Sequence, residues 1–448
     1  MEEKNISQAP VNTNNGYINN TSVVEPVGGK SSSRKALFAC IGGAIGLAVG
    51  GLGVFVIMQL LQKPDTSSTA CECPECQTSD NVSLDFDFLK LEQSNSNMIY
   101  SPLSIRNGLA LLSAGAGGTT AAEIDNVLGD VKIPKYQNVA DTMSLANAVF
   151  IRDNYSDKVL PNYVSTVEQN YNAEVLYDSF TSSVNMDNWV SQKTFGLINN
   201  IGIQTNDDLK MVLANALAIQ MDWQYAFDAD NTRGEPFYQV DGSEMFVTTM
   251  KKETSASAIK YYIDNDATML TMPLKPVSDA SLEFVAVMPK GDIGNYVENV
   301  SVDDIESMLS SATSASEPKD GVVINIPKFK FDYELDFKAD LQALGVVSAF
   351  NQMNANFSKI ASEPLYVSDA VHKANIDFSE DGIKAAAVTA FGMEVGAMEL
   401  EEEPQPVIID IDHPFLFLVR DADNGTIWFV GTVCQPNSWA DDADEYHR

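Results

Sequence analysis

Positive charge is scarce in this chain. Against 62 Asp and Glu stand only 28 Lys and Arg, a formal net charge of −34 over 448 residues. Binding a phosphate backbone requires clustered cations, so this balance excludes nucleic acid as a partner, and docking on anionic lipid through a basic face with it. Histidine is nearly missing: His372, His413 and His447 are all there is, too few for a histidine-rich metal site or an extended proton relay. Cysteine is sparse too. Of five, only Cys434 falls between residues 84 and 436, so that stretch of 353 residues does not rely on disulfides. No GxSxG, GxxxxGK, HExxH or GxGxxG motif occurs. A Ser-His-Asp triad would have to draw on His372 or His413, which lie in strand-like stretches, or on His447 near the end of the chain. The sequence therefore reads as that of a non-enzyme, with no cofactor and no metal site expected.

What is present organises into five parts. Residues 1–35 are polar and rich in Asn, Ser, Val and Gly, and are expected to be a disordered cytoplasmic tail. Ala36 to Met58 run for 23 residues without a charge, which as a helix spans roughly 35 Å, the thickness of a bilayer core. A signal peptide would have a shorter apolar stretch, nearer the start, with a small-residue cleavage site after it. An uncleaved transmembrane helix over 36–61 is the expectation. Lys30, Arg34 and Lys35 precede the run and only Lys63 closely follows it. The positive-inside rule then places the N-terminus in the cytoplasm and everything after Met58 outside. Gly42, Gly46 and Gly50 have the spacing that lets two membrane helices approach, although glycine is common in such helices anyway.

A polar linker, 62–83, carries CysGluCysProGluCys. Cys71, Cys73 and Cys76 suit intermolecular disulfides, a metal or lipid, and the choice stays open. A zinc site needs a fourth ligand, and none is near. A disulfide-linked or helix-mediated homo-oligomer is one expectation from these features. Fully extended, the linker reaches at most ~75 Å.

Residues 84–436 read as one α+β domain, with helical signals early and strands late. Ser101-Pro102 opens an apolar run through Leu103, Leu109, Leu111 and Leu112, as a helix start does. Strands are expected at Leu282 to Met288, Val322 to Ile326 and Pro414 to Val419. The last is expected to pair with Ile427 to Val433 through a hairpin marked by Asn424-Gly425. Residues 437–448 are expected to be a flexible tail.

Several segments together resemble the serpin family, which traps serine proteases by inserting a reactive loop into its own β-sheet. They are AsnMetIleTyrSerProLeuSerIle at 97–105 with GlyAlaGlyGlyThrThrAlaAlaGluIle at 115–124, and LeuAlaAsnAlaValPhe at 145–150. Next come Asn188-Trp189-Val190, then Leu213-Ala214-Asn215-Ala216 with Trp223, Phe227, Thr232 and Phe237, then IleProLysPheLys at 326–330 and AsnPheSer at 356–358. ValHisLysAla at 371–374 leads to GluAspGlyIleLysAlaAlaAlaValThrAla at 380–390, and HisProPheLeuPhe at 413–417 to PheValGlyThrVal at 429–433. They run in family order over the whole domain. The resemblance implies helices packed around a large, mostly antiparallel sheet A with smaller sheets and an exposed reactive-centre loop. It also implies that Ser101, Ser104, Asn215 and His372 lie beneath the sheet opening and Trp223 near the point where the loop inserts.

The loop can also be argued from its residues. After Glu380, the stretch from Gly382 is small and almost uncharged, unusual for an exposed segment. As a strand it alternates, with Ile383, Ala385, Ala387 and Thr389 on one face and Lys384, Ala386, Val388 and Ala390 on the other. The one charge falls on the outward set. Gly382 supplies freedom for a hinge. Alone, the stretch would read as an Ala-rich helix; between its flanking motifs it reads as the reactive loop. Ile383 departs from the family, which usually has a small residue there.

Counting from Gly382 as the family does places the scissile bond at Gly396–Ala397, whereas counting back from Pro414 gives Glu403–Pro404. No Lys or Arg occurs between Lys384 and Arg420, which disfavours a trypsin-like protease. Val395, Gly396, Ala397, Met398 and Leu400 suit an elastase-like or chymotrypsin-like pocket, and Glu394 or Glu399 a glutamate-specific one. The expected partner is an extracellular serine protease. A non-inhibitory scaffold on the same fold is the alternative.

Overall fold

The computed structural model describes residues 51–60, 84–92, 95–383 and 406–446. Nine helices are described: α1 (Asp87–Glu92), α2 (Pro102–Gly115), α3 (Gly118–Leu128), α4 (Pro161–Tyr171), α5 (Val184–Lys193), α6 (Ile293–Asn299), α7 (Val302–Ser310), α8 (Phe337–Ala343) and α9 (Trp439–Tyr446). They accompany four described sheets.

A six-stranded, mostly antiparallel sheet bears on function. It orders Phe329–Leu335 (β14), Leu365–Phe378 (β15), Gly51–Leu60 (β1), Leu209–Ile219 (β5), Met143–Arg152 (β3) and Ala173–Asp178 (β4). Only the β3–β4 pair is parallel. A seven-stranded sheet runs Thr313–Ser314 (β12), Lys260–Ile263 (β9), Ala267–Pro273 (β10), Leu282–Pro289 (β11), Phe415–Asp421 (β18), Ile427–Val433 (β19) and Met98–Tyr100 (β2). The β18–β19 hairpin closes around Asn424-Gly425 as expected, with Gly425 at φ +76°. Four strands, Val407–Asp410 (β17), Val322–Pro327 (β13), Glu244–Thr254 (β8) and Arg233–Tyr238 (β7), make a third sheet; Gly382–Ile383 (β16) and Met221–Asp222 (β6) make a short ribbon.

Helix α2 starts where its sequence says. Pro102 occupies the first turn, and the Ser101 hydroxyl accepts the Ser104 amide at 3.0 Å. Almost every residue of α2 is buried, because it packs against β1 and β5 of one sheet and β19 of another.

Two expectations are corrected. Residues 51–60, assigned to the second half of a membrane helix over 36–61, form strand β1; residues 36–50 lie outside the described residues. Among the described residues no helix is long and apolar enough to cross a membrane. The cause is that a charge-free run suits a strand paired on both edges as well as it suits lipid, and Val54, Phe55, Val56 and Ile57 are strand formers. Residues 437–448, expected to be a flexible tail, carry α9 instead, held by its two aromatic ends as described below. Strands also appear earlier than the helix-first reading implied, at β3 and β5.

Helix α8 packs on β15 and carries a buried carboxyl, Asp340. Burial, the charges of Glu92 and Asp336, and a hydrogen bond with Glu92 push the Asp340 carboxyl up to about 7. A carboxyl raised on folding takes up its proton in the native state, so its contribution to stability falls as pH rises from about 4 through 7. Asp340→Asn should therefore stabilise the protein more at pH 8 than at pH 5, by about 2 kcal/mol. Urea midpoints of both proteins at the two pH values check this, and an equal difference at pH 5 and 8 would remove Asp340 from the explanation.

Candidate functional site

The sheet that contains β15 and β5 has a slot between them, and β1 fills it. Its backbone pairs antiparallel with both walls: Val54 faces His372 of β15 on one side and Asn215 of β5 on the other. Directly beneath, the N-terminus of α2 is tied to each wall. The Ser101 amide donates to His372 Nε2 at 3.2 Å, so that nitrogen carries no proton. The Ser104 hydroxyl donates to Asn215 Oδ1. Asn215 Nδ2 donates to Asn147 Oδ1 at 2.8 Å, extending the relay to β3. Ser101, Ser104, Asn215 and His372 are fully buried. These four residues lie together beneath β1, bonded across the slot. A buried relay of this kind is sensitive to any change in wall spacing, since each unmet polar group is costly.

Past the end of β15 the chain is anchored by backbone and side chain alike. Trp223 donates its amide to the Asp381 carbonyl and its indole Nε1 to the Ser379 carbonyl, both at 2.8 Å; Phe227 N donates to the Glu380 carbonyl at 2.9 Å. The indole packs edge-on against Phe378 and Phe284, at 5.3 and 6.0 Å between ring centroids, and Phe378 stacks on Phe329 at 4.6 Å. Trp223 is thereby bonded to the chain just before Gly382.

Gly382 and Ile383 pair as β16 with β6. Glycine is needed here for close approach: a Cβ at Gly382 would sit 2.2 Å from the Met221 carbonyl oxygen. Ile383, which departs from the family pattern, is buried among Met221, Trp223 and Phe227. Ala385, Ala386, Ala387 and Thr389 lie outside the described residues, as do Val395, Gly396, Ala397, Met398 and Leu400.

The Glu380 carboxylate is surrounded. Lys328 Nζ is 3.2 Å from Oε2, while Thr232 Oγ1 and Tyr446 Oη each donate to Oε1 at 2.7 Å. Burial alone would raise this carboxyl, but Lys328 and the two hydroxyl donors hold it below its ordinary value. Sequence reasoning included Asn147, Thr232 and Lys328 within matching motifs without giving them roles. Their signal was that each is a lone polar residue beside apolar strands. Tyr446 had no signal.

Comparison with known proteins completes the picture. Residues 80–436 match the family described as Serpin (serine protease inhibitor). A leukocyte elastase inhibitor of Xenopus laevis is 29% identical over 378 residues, covering 78% of this chain and 96% of the relative. A serpin-like protein of Methanosarcina acetivorans is 30% identical over 383 residues, 80% of this chain and 85% of its own. Among solved structures, the thermophilic serpin Tengpin in its native state superposes with a TM-score of 0.65 at 24% identity, covering 79% of this chain and 92% of that one. Its latent state gives 0.64 at 22%, covering 82% and 100%, a likeness of fold. The match across the domain, the slot with its buried relay, and the anchored hinge beside it agree: this chain belongs to the serpin family.

Proposed function

We propose that the chain inhibits serine proteases by loop insertion and covalent trapping, and does so tethered at the outer surface of a membrane. The observation that carries this reading is the polarity of the slot. β1 enters it beside Ala374, near the hinge end of β15, and runs antiparallel to both walls. A loop folding back after Gly382 would run the same way. In this reading a protease attacks the loop and becomes acylated, and the cleaved loop then enters the slot as a strand, carrying the enzyme with it. The energy comes from a sheet that gains a strand of the loop's own.

Insertion requires that β1 be elsewhere. Residues 51–60 belong to the charge-free run that begins at Ala36, so they have two exclusive destinations, the slot and a bilayer. The tether is supported by that run and by Lys30, Arg34 and Lys35 before it. In the tethered protein of this reading, β1 residues lie in lipid, and β15 and β5 pair with each other until the loop parts them. Linking of chains through Cys71, Cys73 and Cys76 belongs to the same reading, since an exported cluster of odd number suits intermolecular disulfides.

The target class follows from the loop. With no cation between Lys384 and Arg420, and with Val395, Gly396, Ala397, Met398 and Leu400 around the counted bond, an elastase-like or chymotrypsin-like protease fits. The name of the Xenopus relative, a leukocyte elastase inhibitor, points the same way. The occupied slot favours a second reading, a non-inhibitory scaffold in which β1 stays seated.

The full chain in lipid vesicles, incubated with elastase, chymotrypsin or trypsin, should give an adduct at the summed mass that survives boiling in SDS with one of the first two and not with trypsin. Mass spectrometry of the released peptide then places the bond. Clean cleavage with no adduct from any protease would leave the scaffold reading. A second expectation concerns the hinge. Withdrawing buried Ile383 costs about 2 kcal/mol, which slows insertion and lets more acyl-enzyme hydrolyse. Ile383→Thr should therefore raise the ratio of adduct to cleaved product, read from the same gels; an unchanged ratio would show that hinge withdrawal does not limit trapping.

A further inference from the structure

We propose that α9, which lies beyond residue 436 where the family match ends, is a latch on the loop hinge, and that Tyr446 is the positioning residue through which it holds Glu380. The inference rests on the loop-insertion reading and adds to it the element that sets how readily the hinge departs.

The latch is built in two stages. The chain leading into α9 is stitched between β8 and the β13–β14 junction: Thr248 N donates to the Asn437 carbonyl at 3.0 Å, and Asn437 N to the Lys328 carbonyl at 3.0 Å. Lys328 N closes the circuit on the Thr248 carbonyl at 2.8 Å. The helix start is pinned when Thr248 Oγ1 donates to Asp442 Oδ2 at 2.8 Å. Trp439 lies against Gly234, where a Cβ would come within 2.6 Å of the indole, so only glycine admits the ring.

From that base the helix crosses to the hinge. The Trp439 ring stacks on Tyr446 at 5.7 Å, two turns on. Tyr446 then engages both members of the buried ion pair. Its hydroxyl donates to Glu380 Oε1 at 2.7 Å and accepts from Lys328 Nζ, whose ammonium also stands 5.0 Å from the ring centroid. Glu380 is two residues before Gly382, and its carbonyl is the acceptor for Phe227 N. For the loop to turn into the slot, β16 must leave β6, and the chain after Glu380 must reverse. Each bond that fixes Glu380 opposes that movement. Three of the partners of its carboxylate, Thr232, Lys328 and Tyr446, come from three separate segments, and the tyrosine alone comes from outside the matched domain.

The test uses the full chain in lipid vesicles and two variants. Tyr446→Phe keeps the ring, its stack on Trp439 and its approach to the Lys328 ammonium, and removes the hydroxyl with its bonds to Glu380 and Lys328; Trp439→Ala unseats the ring. Hydrogen exchange is followed at the Trp223 and Phe227 amides, which donate to the Asp381 and Glu380 carbonyls, with α2 amides as reference. In parallel, the protease sensitivity of residues 384–405 is followed over time, since a loop that has inserted becomes resistant. Because a hydrogen bond to a carboxylate is among the stronger kind, Tyr446→Phe should speed exchange at Trp223 and Phe227 by about tenfold relative to α2, and loop insertion by a similar factor. Trp439→Ala should do at least as much. Unchanged exchange at the two amides in both variants overturns the latch, and so does a uniform rise that includes α2, which would mark a merely structural role. Faster exchange in the variants, in a protein whose loop never becomes resistant, keeps the hold of Tyr446 on Glu380 and sinks the loop-insertion reading instead.

Discussion

Two strand edges face each other across the middle of the six-stranded sheet, and neither can be left bare. β15 and β5 each present a row of backbone donors and acceptors to the slot between them, and buried groups of that kind must be paired. β1 pairs with both at once, over Leu52 to Leu60 on one side and Gly51 to Gln59 on the other. The buried relay below, Ser101 to His372 and Ser104 through Asn215 to Asn147, holds the walls at the spacing a strand requires. The outer strands, the α2 helix between the sheets, and the hinge at the end of β15 are all arranged around that requirement.

On the proposed reading the segment around Glu380 meets a different constraint, which is to hold without being permanent. Trp223, Phe378, Phe329 and Phe284 make an aromatic floor that favours one position for the end of β15. Above it the Lys328–Glu380 pair adds little net stability, since burying two charges costs about as much as their attraction returns. Its effect is positional. Once formed it penalises any motion that separates the partners, because either one left alone would be a buried, uncompensated charge. A metastable switch needs this combination of modest net gain and a steep local penalty.

These features differed in how far they could be read from residues. Local chemistry was legible: Ser101-Pro102 set the start of α2, and Asn424-Gly425 set the β18–β19 turn. Ser101, Ser104, Asn215, Trp223 and His372 were singled out through the serpin resemblance; the first two, Asn215 and His372 are bonded in one buried chain, while Trp223 bonds the segment before Gly382. Gly382 was noticed for its freedom, whereas the structure shows it fitted against the Met221 carbonyl. Strand β1 was not legible as a strand because apolarity alone does not distinguish lipid from the middle of a sheet. Lys328 and Glu380 are 52 positions apart, and no periodicity joins them. Helix α9 is short and strongly acidic, so nothing in its composition announces that Trp439 and Tyr446 would seat it.

The slot also constrains what the reactive loop can do. β1 carries Val54, Phe55, Val56 and Ile57, while the loop past Ile383 carries Ala385, Ala386 and Ala387. A strand of larger apolar residues gains more on burial than a strand of alanines, by about 0.8 kcal/mol for each extra methylene. β1 and the loop compete for one site on the proposed reading, and the loop is favoured where residues 51–60 have another place to go, which a charge-free run of 23 residues has in a bilayer. On the proposed reading the tether does more than fix the inhibitor at a surface. Membrane insertion withdraws the competing strand, so that anchoring and readiness to trap a protease become one event.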